Sequence, residues 1–235
     1  DPAARPGAVA VLHALAPQAS LLGVGAQAPV PPSAEAFVGR QDELSVLSAA
    51  FRQARAGHGQ TLLVDGESGI GKSTLVRHFL ASLPREDPRT VVLCGRCYER
   101  ESVPFKGVDA IVDQVCTYLR TRSADELSAL LPAAESMARL ERVFPVLQGL
   151  GGRSEPPASL PDADPVEMRW SAFRALRELW TRIAQSVPLV LSIDDLQWAD
   201  EDSLALLSDV LRQPEAPPLL LLATVRTAPT EGARG

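Results

Sequence analysis

The chain has 235 residues, 46% of them hydrophobic and 22% charged, which is the composition of a globular protein long enough to bury a substantial core. Twenty-nine acidic residues against 23 basic ones give a net charge of −6, which excludes a protein whose main task is to coat nucleic acid. No apolar run approaches the roughly 18 residues of a membrane span, and three cysteines are too few for a disulfide scaffold, so a cytoplasmic protein with no membrane contact and no direct nucleic-acid contact is expected.

Residues 1–16 (DPAARPGAVAVLHALA) place Val9, Leu12 and Leu15 on one face of a short helix. Residues 17–35 carry Pro, Gly, Ala and Ser with almost no charge and no period, which predicts a flexible linker before a globular part spanning 36–235. Helical spacing of Leu44, Leu47 and Phe51 predicts a helix over 41–56, ended by Gly57 and Gly59. A strand follows over 60–65 (QTLLVD). A helix over 72–83 puts Leu75, Val76, Phe79, Leu80 and Leu83 on one face, with Pro84 as its stop. A second strand covers 90–94.

Helices are expected over 106–121, 125–131 and 134–149, the last bent or broken at Pro145. Residues 151–165 read as a loop. Asp164 suits an N-cap, Pro165 the first helical position, and Glu167 the return arm of a capping box. Trp170, Phe173, Leu176, Trp180 and Ile183 are expected to face the core. A third strand over 188–193, a helix over 201–212 and a fourth strand over 218–225 complete an alternation that predicts an α/β fold with a mainly parallel sheet.

The chemistry-bearing run is Gly66-Glu67-Ser68-Gly69-Ile70-Gly71-Lys72-Ser73, followed by Thr74. It fits GxxxxGK[ST] at every fixed position, between a strand and an amphipathic helix. Glycines let successive backbone N–H groups turn toward a phosphate, and the helix N-terminus adds positive charge. Lys72 would reach the β- and γ-phosphates and the Ser73 hydroxyl would ligate Mg²⁺. Lysine occurs only at Lys72 and Lys106, against 21 arginines, and a lysine held against such a bias marks chemistry that arginine cannot supply. Asp194 and Asp195 end an apolar strand, where acids are costly unless they serve a cation. Asp194 would hold Mg²⁺, and Asp195 would orient or deprotonate the attacking water. Arg226 follows the fourth strand at the same carboxyl edge and would face the γ-phosphate. Cys94 and Cys97 form a CxxC with no further ligands at zinc spacing.

Phe37-Val38-Gly39-Arg40-Gln41-Asp42-Glu43-Leu44 resembles the FVGRxxEL opening of the signalling P-loop ATPases (STAND class, AAA-like, with an Orc1-like ATPase domain), and GESGIGKSTLV and LVLSIDDLQWAD resemble that family's phosphate and metal motifs. The resemblance covers about residues 36–228. It implies an ATP–Mg²⁺-binding P-loop NTPase three-layer sandwich with strand order 5-1-4-3-2, the last strand and a helical lid lying beyond Gly235. It also implies contacts from Val38, Gly39 and Arg40 to the adenine, and nucleotide-dependent self-association. Asp1-Pro2-Ala3-Ala4-Arg5-Pro6 resembles the closing signature of protein kinase catalytic domains. The implied parent is a bacterial serine/threonine protein kinase, with residues 1–16 as the end of a fused kinase domain and helical repeats C-terminal to the ATPase. Its function would be that of a signalling switch with slow or partner-dependent hydrolysis. The alternatives are the ATPase module of a transcription regulator and a scaffold that no longer exchanges nucleotide.

Overall fold

The computed structural model describes residues 14–15, 19–23, 39–99, 104–150 and 164–227. The kinase-like run at the start of the chain, Val38 and the 151–163 loop lie outside them. In chain order the elements are β1 (Ala19–Gly23), α1 (Gln41–Arg55), β2 (Gln60–Gly66), α2 (Lys72–Glu86), β3 (Val91–Arg96), α3 (Lys106–Arg120), α4 (Ala124–Leu130), α5 (Ala134–Val143), α6 (Pro165–Ser186), β4 (Leu189–Asp194), α7 (Glu201–Val210) and β5 (Leu220–Arg226). Single 3₁₀ turns occupy Pro145–Leu147 and Leu196–Trp198.

All five strands are parallel, in the order β1-β2-β5-β4-β3. Parallel strands are covered on both faces, so they read as continuous apolar runs. In β5, Leu220 and Leu222 face a core built with Leu47, Phe51, Leu75 and Phe79 of α1 and α2. Leu221, Ala223 and Val225 face the larger core on the other side, with Val108, Ile111, Phe173, Trp180 and Leu207 of α3, α6 and α7. The result is three layers, helix–sheet–helix.

Several expectations are corrected. Ala19–Gly23, inside the segment expected to be linker, is a strand that pairs along the free edge of β2. The sheet therefore has five strands within the chain, with β1 beside β2 where the absent fifth strand of the 5-1-4-3-2 order was expected. Leu22 of that strand is buried in the smaller core while Leu21 is 61% exposed, so a strand this short shows almost no pattern. Leu15 is fully buried in the larger core, and Ala14 O accepts from Ser208 Oγ of α7.

Pro84 does not stop α2, which runs on to Glu86. A proline in the last turn removes one N–H but leaves the closing bond, Asp87 N–H to Leu83 O, intact. Trp170 is 41% exposed and meets Phe173 edge to face at 5.4 Å. Ten residues at the helical period leave it about 80° from Trp180, which puts it at the border of the apolar stripe. The break at Pro145 and the Asp164 cap occur as expected, the latter through Val166 N–H to Asp164 Oδ1 at 3.1 Å. The complete capping box forms instead at Ser123 and Glu126.

The outer edge of β3 is closed by a side chain. Gln114 of α3 accepts from Cys94 N–H at 3.0 Å through Oε1 and donates to Cys94 O at 2.5 Å through Nε2. An amide can mimic a strand's donor–acceptor pair and so blunt an exposed edge.

Candidate nucleotide site

Strand register assembles the site. Gly66 pairs with Arg226, and Asp194 with Arg96, so the carboxyl ends of β2, β5, β4 and β3 line one edge of the sheet. That edge is where open α/β sheets bind ligands.

The glycine-rich segment leaves β2 and turns into α2. Gly71 has φ 95° and Gly69 φ 81°, values that L side chains adopt only under strain. Glu67, Ser68, Gly69 and Thr74 are exposed, and Ile70, Gly71 and Ser73 half-buried. Lys72 is buried, and its Nζ donates to the loop's own carbonyls, Gly66 O at 2.7 Å and Glu67 O at 2.8 Å. No carboxylate forms an ion pair with it among the described residues. Burial, and then the nearby Arg226 cation, hold its pKa below that of a free lysine despite the acids around it. A cation kept half-desolvated against carbonyl oxygens is one prepared for an anion.

Beside it, Ser73 Oγ donates to Asp194 Oδ1 at 2.8 Å. Thr224 Oγ1 of β5 donates to the same oxygen at 2.6 Å and accepts from Asp195 N–H at 2.8 Å. A hydroxyl and a carboxylate converging at the end of a phosphate loop are oxygen donors that fit a hard divalent cation, which needs only one or two protein ligands when phosphate supplies the rest. These residues could hold Mg²⁺.

Asp195 lies next along the chain in a left-handed conformation, φ 57°, and is buried. Its Oδ1 accepts from Gln197 Nε2 at 3.0 Å and Arg226 Nε at 2.9 Å. Its Oδ2 accepts from Arg96 Nη2 at 3.2 Å and Arg226 Nη2 at 3.3 Å. Burial raises the carboxyl pKa, but the bonds from Gln197, Arg226 and Arg96 outweigh it and hold the group below the usual aspartate value. Gln197 also accepts from Arg226 N–H through Oε1 at 3.0 Å, which ties the end of β5 to the loop after β4.

Sequence reasoning placed Asp194, Asp195 and Arg226 at this edge, and the structure brings them together. It missed Arg96, Thr224 and Gln197. Arg96 was reachable by the rule that found Arg226, since both close a strand at the carboxyl edge. Thr224 looked like one polar interruption in an apolar strand. Gly39 and Arg40 stand at the start of α1, and Arg40 contacts Ile70 O of the phosphate loop.

A crevice of about 520 Å³ adjoins the site between α2 and the ends of β3, β4 and β5, lined by Ser73, Arg77, Cys94, Arg96, Asp194 and Thr224 among others. None of the three cysteines is in a disulfide, and Cys94 is exposed on β3.

Asp200, at the end of the loop after Asp195, is an anchor. Its carboxylate caps α7 through Ser203 N–H at 2.8 Å and accepts from Phe105 N–H at 3.1 Å, where Phe105 has φ 64°. Gly107, next in α3, approaches so closely that an added Cβ would lie 3.1 Å from Cys97 Sγ. Asp200→Ala is expected to cost about 1–3 kcal/mol, because it removes a cap and orphans a backbone donor in a half-buried position. Urea unfolding measures it, and a loss below about 0.5 kcal/mol, the size of an ordinary surface substitution, would remove the anchor role.

A parallel sheet carrying a glycine loop, a buried lysine and a hydroxyl–carboxylate pair at one edge defines a P-loop NTPase sandwich. Residues 36–222 match the AAA ATPase domain family, and the chain belongs to it. The chain is 26% identical over 202 residues to an uncharacterized protein of Rhizobium meliloti (strain 1021), covering 81% of this chain and 18% of that protein. It is 22% identical over 173 residues to the hybrid signal transduction histidine kinase G of Dictyostelium discoideum, covering 72% of this chain and 5% of that protein. The chain thus spans less than a fifth of the length of either. Among the described residues no helix is long and apolar enough to cross a membrane.

Proposed function

We propose that the chain is an ATP–Mg²⁺-binding switch module of a signalling protein, in which hydrolysis is slow because Asp195 is held by its neighbours. The observation that carries the nucleotide reading is the paired geometry at the loop: Lys72 Nζ on two loop carbonyls, with Ser73 Oγ 2.8 Å from Asp194 Oδ1. Bound Mg²⁺ would supply positive charge against the charge that develops on the phosphates. Ser73 and Asp194 are the residues to hold it, Lys72 the residue to hold the β- and γ-phosphates, and Glu67 through Thr74 the loop around them.

Asp195 can take a proton from water only after it gives up bonds to Arg96 and Arg226. A γ-phosphate offers those arginines a competing anion, and ATP would then draw them off the base in a minor fraction of the bound molecules. That coupling suits a switch better than a motor. The signalling context is supported by the Dictyostelium relative, a hybrid signal transduction histidine kinase. The serine/threonine kinase parent, with a fused kinase domain, C-terminal repeats and nucleotide-dependent self-association, rests on the sequence resemblance.

Asp194→Asn tests the metal assignment. The amide keeps the shape and the Ser73 and Thr224 contacts but loses the charge, so the Mg²⁺ concentration at half-saturation of ATP binding should rise about tenfold while Mg²⁺-free binding changes little. Titration of Mg²⁺ at fixed ATP measures this. An unchanged midpoint would make Asp194 a structural residue.

A further inference from the structure

Arg40 begins α1, yet its side chain does not cap that helix. It crosses instead to the phosphate loop, where Nη2 donates to Ile70 O at 2.5 Å. The residue is 9% exposed and has no carboxylate partner among the described residues. Its second terminal nitrogen, Nη1, is buried with no hydrogen-bond partner. Burying a permanently charged guanidinium with one donor stranded costs stability. Arg96 and Arg226, by contrast, keep 51% and 44% of their side chains exposed and pair with acids. The grip of Arg40 on the loop is therefore not explained by folding alone.

The peptide geometry says what the grip does. A trans peptide is planar, and its N–H points opposite to its C=O. Fixing Ile70 O toward Arg40 therefore fixes the following N–H, that of Gly71, away from Arg40. Gly71 is the hinge at the start of α2, with φ 95°, and a glycine there is free to rotate its peptide. A Cβ at Gly71 would lie 3.7 Å from Arg40 Nη2, so the guanidinium packs directly against this hinge.

We propose that Arg40 is a positioning residue of the phosphate loop: it locks the Ile70–Gly71 peptide so that Gly71 N–H is preset toward the phosphate, and it does so without reading the base. This rests on the nucleotide reading above and deepens it. It also replaces the expectation that Arg40 contacts adenine. A preset donor loses no orientational freedom when phosphate arrives, so the gain appears as affinity for the phosphates themselves.

The test uses a ligand with phosphates and no base. Wild type, Arg40→Met and Arg40→Lys are titrated by calorimetry with Mg²⁺–tripolyphosphate and with Mg²⁺–ATP, and the Gly71 amide resonance is followed in the ligand-free proteins. In Arg40→Met, affinity for both ligands should fall by the same factor, at least tenfold, and the ligand-free Gly71 amide should shift. Arg40→Lys, with one donor and a shorter reach, should fall at least threefold. If Arg40→Met does not fold, the lysine variant carries the test. Tripolyphosphate affinity at the wild-type level with weakened ATP affinity would return Arg40 to the base. Unchanged affinity for both ligands would make it a packing residue. Failure of wild type to bind either ligand better than Lys72→Ala would remove the nucleotide reading, and this inference with it.

Discussion

Lys72→Ala is expected to weaken Mg²⁺–ATP binding by at least 100-fold while leaving the unfolding temperature near that of wild type. The lysine is buried against two loop carbonyls, beside Arg226 and without an ion-pair partner among the described residues. Removing it costs the fold two hydrogen bonds but relieves a desolvated cation, and the two effects offset. Binding has no such compensation. A hydrogen bond to a charged group contributes about 1.5–3 kcal/mol, and Lys72 is placed to make two to phosphate oxygens. Their loss exceeds the roughly 2.8 kcal/mol that a 100-fold change represents. Calorimetry and thermal unfolding on the same preparations separate the outcomes. Equal affinity in the variant would sink the phosphate-site assignment, and a large drop in unfolding temperature would show that the lysine is a structural support.

The parts of this site that could be found in the sequence are those fixed by short spacing. The loop from Gly66 to Ser73 carries its identity in eight consecutive residues, because the turn needs glycines where φ is positive and the helix must start at once. Asp194 and Asp195 were legible because two acids after an apolar run contradict burial unless something pays for them. The hub at Thr224 was not legible. Its hydroxyl gathers Asp194 and the Asp195 backbone only because β5 lies beside β4, 30 residues away in sequence. The role of Arg40 was hidden for the same reason, since its partner Ile70 is 30 positions on. In the fold, the central strands announced themselves by unbroken apolar runs. The edge strand β1 did not, because of its two leucines Leu22 is buried and Leu21 is 61% exposed. Tertiary pairing with β2, rather than local pattern, makes it a strand.

Asp195→Asn is expected to lower ATP turnover by at least 100-fold while leaving ATP affinity unchanged or raised. The carboxylate in this structure has all four acceptor positions engaged, by Gln197, by Arg226 twice and by Arg96. In that state it cannot accept a proton, and its lowered pKa makes it a weak base besides. Turnover then requires the arginines to leave, and a γ-phosphate is the anion that can draw them. An asparagine retains one oxygen acceptor but turns an N–H₂ group toward an arginine donor, so it releases the cations without becoming a base. Both arginines have side chains about half exposed and can turn to water, which limits the loss of fold stability to about 1 kcal/mol despite the buried position of the acid. The freed arginines should then meet phosphate at no cost from a competing carboxylate, and affinity should not fall. Wild-type turnover is expected to stay well below ~1 s⁻¹, the low end of common enzyme rates, because the locked state predominates. Phosphate release under single-turnover conditions, with ATP affinity measured on the same proteins, decides between the possibilities. An unaffected rate removes Asp195 from the reaction. A parallel loss of affinity and of unfolding temperature would mean that its pairing with Arg96 and Arg226 serves the fold and not a switch.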